Sequence, residues 1–298
     1  MTRSRLQVEV WRSLLFVPAN EQRFMAKAHQ RGAGAIILDL EDAIAPGEKE
    51  AARACVHAAV ETLRQTGVAN VLVRINPGSD DDIAAAVSAR VDAIVVPKPD
   101  RVDDLQRVSA VLDRAEREAG LDLGHVRLLV LVETPAAIVN AASLAAHERV
   151  EALILGSEDL ALALGVEPTP DSMTHAASAI VFAARASGKV PLGVPGSLAT
   201  ITDAEAFAAL VVRARAIGMA GTVCIHPNQV VAVRRAYAST PEDIERAKGI
   251  LAAFDEAERA GRGAVMFDGK MLDLPIIERA RRTLAHNDAG GSAPGERP

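Results

Sequence analysis

The chain has 298 residues, of which hydrophobic types make up 49% and aromatic types 3%, with a formal net charge of −6. Its Lys and Arg are scattered with no basic tract, which excludes the usual footprint of a nucleic-acid binder. No apolar run reaches membrane-spanning length, and a core with so few aromatics must be built from Ala, Val, Leu and Ile, as parallel strands under alanine-rich helices are.

In chain order, Ser13–Pro18 (SLLFVP) reads as a first strand, and Asn20 is placed to N-cap a helix running to about Arg31. Gly32–Gly34 ends that helix, and Ala35–Leu40 (AIILDL) is a second strand delivering Glu41 and Asp42. A helix over Gly47–Gln65 leads to a third strand, Asn70–Ile75, with Arg74 just before the Asn76-Pro77-Gly78 turn. A short helix, Asp80–Ala89, precedes a fourth strand, Ala93–Val96, which delivers Lys98 between Pro97 and Pro99. Asp103–Ala119 is helical, with charges paired at three- and four-residue spacing.

The fifth and sixth strands are Val126–Val132 and Val150–Leu155. The first runs into Glu133 and the second into Gly156-Ser157-Glu158-Asp159, with a helix over Pro135–Ala146 between them. A βαβ unit makes the two strands parallel, so both acids fall on one rim. Two carboxylates there suit a hard, oxygen-liganded cation such as Mg²⁺. Helix capping by one or both acids is the alternative reading. Asp171–Ser187 is then a helix, Val190–Val194 a weak seventh strand, Asp203–Ile217 a helix, and Gly221–Ile225 an eighth strand ending in His226-Pro227. Further helices cover Asn228–Tyr237 and Pro241–Ala260.

Eight β→α units predict an α/β fold of the (β/α)₈ TIM-barrel type with a C-terminal helical arm. An open doubly wound sheet is the competing fold, but no glycine-rich phosphate loop follows the first strand. The expected organisation is a barrel over residues 1–260, an arm and helix over 261–286 that dock on a neighbouring subunit, and a disordered tail over 287–298. The arm's Val265, Met266, Phe267, Met271, Leu272 and Leu274 are too apolar to be left in water. Folding back on the chain's own barrel is the other way to cover them. Cys55 and Cys224 indicate no disulfide framework, and MTRSRLQVEV lacks a signal-peptide core, so a cytoplasmic protein is expected.

Glu41, Asp42, Arg74, Lys98, Glu133, Asp159 and His226 all gather at strand C-termini, the end where barrel enzymes place their chemistry. Taken singly, Glu41 and Asp42 could cap a helix, Lys98 could face solvent and His226 could be a satisfied turn histidine. An arginine among acids suggests an anionic substrate held beside a metal. No GxSxG elbow, CxxC pair or HExxH helix is present.

The segments RSLLFVPAN, AIILDLEDAIAPGEKEAAR, VRIN, VETPAAIVNA, LGSEDLALALG, IHPNQ and GKMLDLP, spread from about Arg12 to Leu284, resemble the citrate lyase β-subunit-like proteins of the HpcH/HpaI aldolase superfamily. That group is similar to malyl-CoA and citramalyl-CoA lyases. The resemblance implies a Mg²⁺-dependent, trimeric TIM barrel that cleaves or forms a β-hydroxyacyl-CoA thioester, with an acyl-CoA and a 2-keto acid as the other partners. It implies Glu133 and Asp159 as metal ligands, Arg74 at the reacting carbonyl or carboxylate, and Glu41 and Asp42 supporting the metal through water or neighbouring bonds. Asp273 would be an acid or base supplied by a neighbouring subunit, and Phe16 and Lys27 would contact CoA.

Four features depart from the family pattern. Thr222 stands where relatives carry Lys, Gly193 where many have Asp, Ala136-Ala137 where a glycine is frequent, and the helix containing HAASAI lacks a common arginine. These departures bear on substrate identity and on CoA dependence. A CoA-independent metal aldolase of a hydroxy-keto acid, or a non-catalytic barrel subunit, are the rival functions.

Overall fold

The computed structural model describes residues 11–259 and 265–290. They form two compact units, divided between Ala236 and Tyr237.

The first unit holds eight parallel strands: β1 (Ser13–Pro18), β2 (Ala35–Asp39), β3 (Val71–Arg74), β4 (Ala93–Val96), β5 (Arg127–Val132), β6 (Val150–Leu155), β7 (Val190–Leu192) and β8 (Thr222–Cys224). Their order is β7-β6-β5-β4-β3-β2-β1-β8. A parallel bridge from Leu192 to Gly221 joins the two outer strands, with Gly193 N–H donating to Gly221 O at 2.9 Å and Ala220 N–H to Pro191 O at 2.8 Å. The sheet is thereby a closed TIM-type barrel, as the eight-fold alternation predicts.

Helices follow the strands: α1 (Gln22–Ala28), α2 (Lys49–Gln65), α3 (Asp80–Ser88), α4 (Val102–Glu118), α5 (Pro135–Val139), α6 (Ala141–Ala146), α7 (Ser157–Leu164), α8 (Pro170–Ala186), α9 (Ala204–Ile217) and α10 (Pro227–Tyr237). Two local expectations are corrected. Asn20 does not cap α1; its amide donates to Glu48 at 3.2 Å, and Glu21 holds the cap position without a side-chain bond. The single helix expected over Pro135–Ala146 is two, broken at Asn140, whose side chain turns away to donate to Asp100 O at 2.9 Å. The segment after β6 forms α7, with Glu158 and Asp159 in its first turn.

Leu14, Ala35, Ile37, Leu72, Ala93, Val95, Leu129, Leu131, Ala152, Ile154, Leu192 and Val223 pack together as the barrel's apolar core, closed below by Trp11. They are alternate residues of their strands, so they share the inward face. The intervening set, among them Ile36, Leu38, Val73, Val130 and Leu153, is fully buried as well, because helices cover the outside. At the opposite end from the strand C-termini, buried Arg149 lies on Glu116 of α4, with Nη2 2.8 Å from Oε2 and Nη1 3.0 Å from Oε1, and pairs with Asp113 too. Glu116 also accepts the N–H groups of Gly124 and Val126, each at 2.8 Å.

In the second unit α11 (Pro241–Arg259), an antiparallel hairpin of β9 (Val265–Phe267) and β10 (Lys270–Leu272), and α12 (Leu274–Gly290) surround a small core. Val265, Phe267 and Leu272 of the arm join Ala247, Ile250, Ile276 and Ala280 there. Part of the arm is therefore covered by its own flanking helices, an arrangement the sequence reading does not anticipate. Met266, Met271 and Leu274 remain exposed. The first four residues of the expected disordered tail, Asn287–Gly290, continue α12, and residues 291–298 lie outside the described residues. Among the described residues no helix is long and apolar enough to cross a membrane.

Candidate active site

One step further along the inward faces, the apolar layers give way to polar side chains. Two residues beyond Ile37, Leu72, Leu131 and Ile154 come Asp39, Arg74, Glu133 and Gly156, while Phe16 lies two beyond Leu14. The same alternation that fills the barrel thus lays a polar floor at its C-terminal mouth.

Asp39 and Arg74 are register partners on adjacent strands β2 and β3. The guanidinium meets Asp39 as a fork, Nε to Oδ1 at 2.7 Å and Nη2 to Oδ2 at 2.6 Å. Nη1 reaches Glu41 at 2.8 Å and the exposed Asp42 at 3.0 Å. The ring of Phe16 lies beneath, 4.7 Å from the guanidinium carbon to its centroid. Burial pulls the Arg74 pKa down, but the bonds to Asp39 and the charges of Asp39, Glu41 and Asp42 outweigh it and hold the side chain as a cation. Asp39 also accepts the N–H groups of Glu41 and Ala43, which ties down the turn carrying the two acids. Lys49 grips the same turn through the carbonyls of Leu40 and Glu41.

Glu133 and Asp159 follow the adjacent strands β5 and β6. Glu133 is 4% exposed, and Gly156 makes room for it: a Cβ there would meet the Glu133 side chain. Burial, then the charges of Asp159 and Glu41, raise the Glu133 carboxyl to about 8. Burial likewise lifts Glu41 to about 7, against the pull of Arg74. Lys98, following β4, bridges the pair. Its backbone N–H donates to Glu133 Oε1 at 3.0 Å and its ammonium lies 3.0 Å from Asp159 Oδ1.

A buried carboxyl raised by burial and by two neighbouring acids marks a place where a further positive charge would be favoured. Glu133 and Asp159 offer carboxylate oxygens, and a cation, the Lys98 ammonium, already stands against Asp159. Those features fit a hard divalent ion held by Glu133 and Asp159. Among the described residues no group of three or more His, Cys, Asp or Glu converges as a complete ligand set. Two protein carboxylates with water and substrate filling the remaining positions is the usual arrangement for Mg²⁺.

The structure thus brings together Phe16, Glu41, Asp42, Arg74, Glu133 and Asp159. Lys98 belongs with them and does not simply face solvent. Lys27 is exposed on α1. His226 is a turn residue: its Nδ1 accepts the N–H of Asn228 at the start of α10. Thr222 is buried in β8 with its hydroxyl on Val223 O. Gly193 has φ +136° and a Cβ there would stand 2.8 Å from Leu155 Cβ, so an aspartate would not fit this backbone. Asp273 caps α12 in the second unit, where its Oδ1 accepts Ile276 N–H at 3.1 Å. Asp39 is the residue that reading the strand ends overlooks. Its signal is the alternation Ala35, Ile37, Asp39, which puts an acid on an otherwise apolar inward face.

The HpcH/HpaI aldolase/citrate lyase family model matches residues 12–227. A (3S)-malyl-CoA thioesterase of Cereibacter sphaeroides is 36% identical over 290 residues, covering 95% of this chain and 96% of its own. The citrate lyase subunit beta of Leuconostoc mesenteroides subsp. cremoris is 31% identical over 280 residues, 92% of each chain. Among solved structures, the protein CitE of Mycobacterium tuberculosis in complex with magnesium, acetoacetate and coenzyme A matches with a TM-score of 0.73 and 31% identity, over 94% of this chain and 98% of that one.

Proposed function

The chain belongs to the HpcH/HpaI aldolase/citrate lyase family of carbon–carbon lyases, and we propose that it is a Mg²⁺-dependent lyase that cleaves or forms a β-hydroxyacyl-CoA of the malyl-CoA or citramalyl-CoA type. The products of cleavage are an acyl-CoA and a 2-keto acid. The observation that carries the reading is the placement of Glu133 and Asp159 on adjacent strand ends, joined through one lysine, with a buried arginine on the same floor.

Held by Glu133 and Asp159, Mg²⁺ would supply Lewis acidity at the keto acid's oxygens. Arg74 then has the role of offsetting negative charge on the substrate. Its Nε–Nη2 edge is anchored on Asp39, so the guanidinium is oriented before substrate arrives. Glu41 and Asp42 hold its Nη1 end and support the metal through water. Asp273 of a neighbouring copy moves the α-proton of the acyl thioester. Exposed Met266, Met271 and Leu274 beside it support docking on another subunit of a homo-oligomer, which the family resemblance makes a trimer. Phe16 and Lys27 serve the CoA side, Lys27 as an exposed ammonium for a phosphate. The two cysteines are free, in keeping with work in a reducing cytoplasm.

The 36% identity to a malyl-CoA thioesterase over 95% of the chain favours a second reading, hydrolysis of the thioester. There water adds at the thioester carbonyl and the CoA thiol leaves. The two are separated by incubating the protein and Mg²⁺ with malyl-, methylmalyl-, citramalyl- and citryl-CoA beside the free hydroxy acids, following keto-acid release and free thiol together. Keto acid without thiol supports the lyase, and thiol without keto acid supports the thioesterase. Keto acid from the free hydroxy acids alone would make the enzyme a CoA-independent aldolase.

A further inference from the structure

Lys98 is a non-glycine residue at φ +52°, a conformation that costs a side-chain-bearing residue about 1 kcal/mol or more. It is held there between two buried prolines, Pro97 and Pro99. Glycine would take this backbone without penalty, but only a side chain such as the lysine's reaches the acids. Its two ends meet different acids: the backbone N–H takes Glu133 Oε1 and the ammonium takes Asp159 Oδ1, both at 3.0 Å. Lys98 thus touches both carboxylates, and the two are the pair assigned above to the metal.

We infer that Lys98 is a built-in counter-ion that occupies Asp159 in the metal-free protein and competes with Mg²⁺ for it. This rests on Glu133 and Asp159 being the metal site. Without the ammonium, Asp159 would face Glu133 with no cation of its own, and like charges at this range repel. With it, the two acids are held together, and a divalent ion must displace the ammonium before it can bind Asp159 directly. The backbone bond to Glu133 does not depend on that exchange, because it comes from the main chain. The lysine therefore tunes affinity through one ligand while keeping the other in place.

The test is Mg²⁺ titration by calorimetry on the full chain, with thermal unfolding of the metal-free protein alongside. Lys98→Met removes the charge and keeps much of the length; Lys98→Gln does the same with a polar end, should the first variant fold poorly. Both should bind Mg²⁺ about tenfold more tightly than the wild type, a change worth ~1.4 kcal/mol. Their metal-free forms should melt lower, and Mg²⁺ should raise their melting temperatures further than it raises the wild type's. Lys98→Arg, which keeps a cation, should stay near the wild-type affinity. Equal or weaker Mg²⁺ binding in both neutral variants would overturn the inference. Asp159→Ala, measured in parallel, distinguishes the two failures. If it still binds Mg²⁺ as the wild type does, the metal site itself is misassigned. If it loses binding while the neutral Lys98 variants match the wild type, the site stands and only the competition is wrong.

Discussion

A β-carbon on Gly156 would lie 2.5 Å from Cβ of Glu133 and 2.6 Å from its Oε2. Gly156 and Glu133 end neighbouring strands on the same inward layer, so the acid owes its position to the missing side chain beside it. Gly156→Ala should push Glu133 off its place while leaving the apolar layers below intact. We expect a ~10–100-fold loss of Mg²⁺ affinity, the range seen when a metal ligand's support is disturbed. Calorimetry combined with a melting curve reads both effects, and unchanged metal binding would show that Glu133 has slack.

Arg74→Lys keeps a positive charge but cannot reproduce the fork onto Asp39. Turnover should fall by about one to three orders of magnitude, each tenfold being roughly 1.4 kcal/mol of barrier. Asp39, 1% exposed, would also lose part of its compensation, so the variant should melt lower. Steady-state kinetics beside thermal unfolding checks the pair of effects. A lysine variant with wild-type kcat would remove Arg74 from the chemistry.

How far the site could be read in advance depends on which regularity each part obeys. Strands such as Ala93–Val96 and Val150–Leu155 are short runs rich in β-branched residues and leucine, and their limits coincide with those in the structure. The break in the helix at Asn140 is not legible, because Pro135–Ala146 has unbroken helical composition and the cause is a tertiary hydrogen bond to Asp100 O. The acids placed after strand ends are easy to suspect. Asp39, inside a strand, shows only through the alternation of β2, and the partners of Lys98 become visible only when neighbouring strands are registered against each other. Asp273 is opaque for another reason: capping and proton transfer both call for a short acidic side chain.

The two possible roles of Asp273 are separable. Asn keeps the capping oxygen for Ile276 N–H and cannot exchange a proton; Ala loses both. Asp273→Ala should cost about 1 kcal/mol of stability in the second unit, and Asp273→Asn much less. If Asp273 moves a proton for a neighbouring copy, both variants should lose most activity. Mixing Asp273→Ala with Glu133→Gln under subunit exchange should then restore part of it, since some sites would combine an intact metal pair with an intact Asp273. Full activity in Asp273→Asn would leave the residue as a cap alone.

The Glu116–Arg149 pair supplies a pH dependence independent of catalysis. Burial pushes the Glu116 carboxyl up, but the hydrogen bonds from Arg149, Val126 and Gly124 and the arginine's charge outweigh it, and the net shift is downward from 4.5. A carboxyl with a depressed folded-state pKa stabilises the fold above its unfolded value and loses that contribution as pH falls through the folded one. Urea unfolding of the wild type should therefore weaken below about pH 4.5. Glu116→Gln, which leaves Arg149 buried with less to balance it, should cost about 3 kcal/mol at pH 7. The gap between the two proteins should narrow on acidification. A constant gap from pH 7 to 3 would mean the pair adds nothing to the acid response.

The join between β7 and β8 has a mechanical consequence. Seven of the eight seams around the barrel are registered along their strands, whereas this one rests on the Leu192–Gly221 bridge and the two amide bonds beside it. It is the seam along which the barrel should unroll first when heated. Amide hydrogens of Gly193 and Ala220 should then exchange ahead of those at the β2–β3 or β5–β6 seams. A barrel opened there becomes a curled sheet with two bare edges, and bare edges recruit strands from other chains. Heat damage to this protein should accordingly begin as chain-to-chain stitching at β7 and β8, well before the apolar layers inside the barrel come apart.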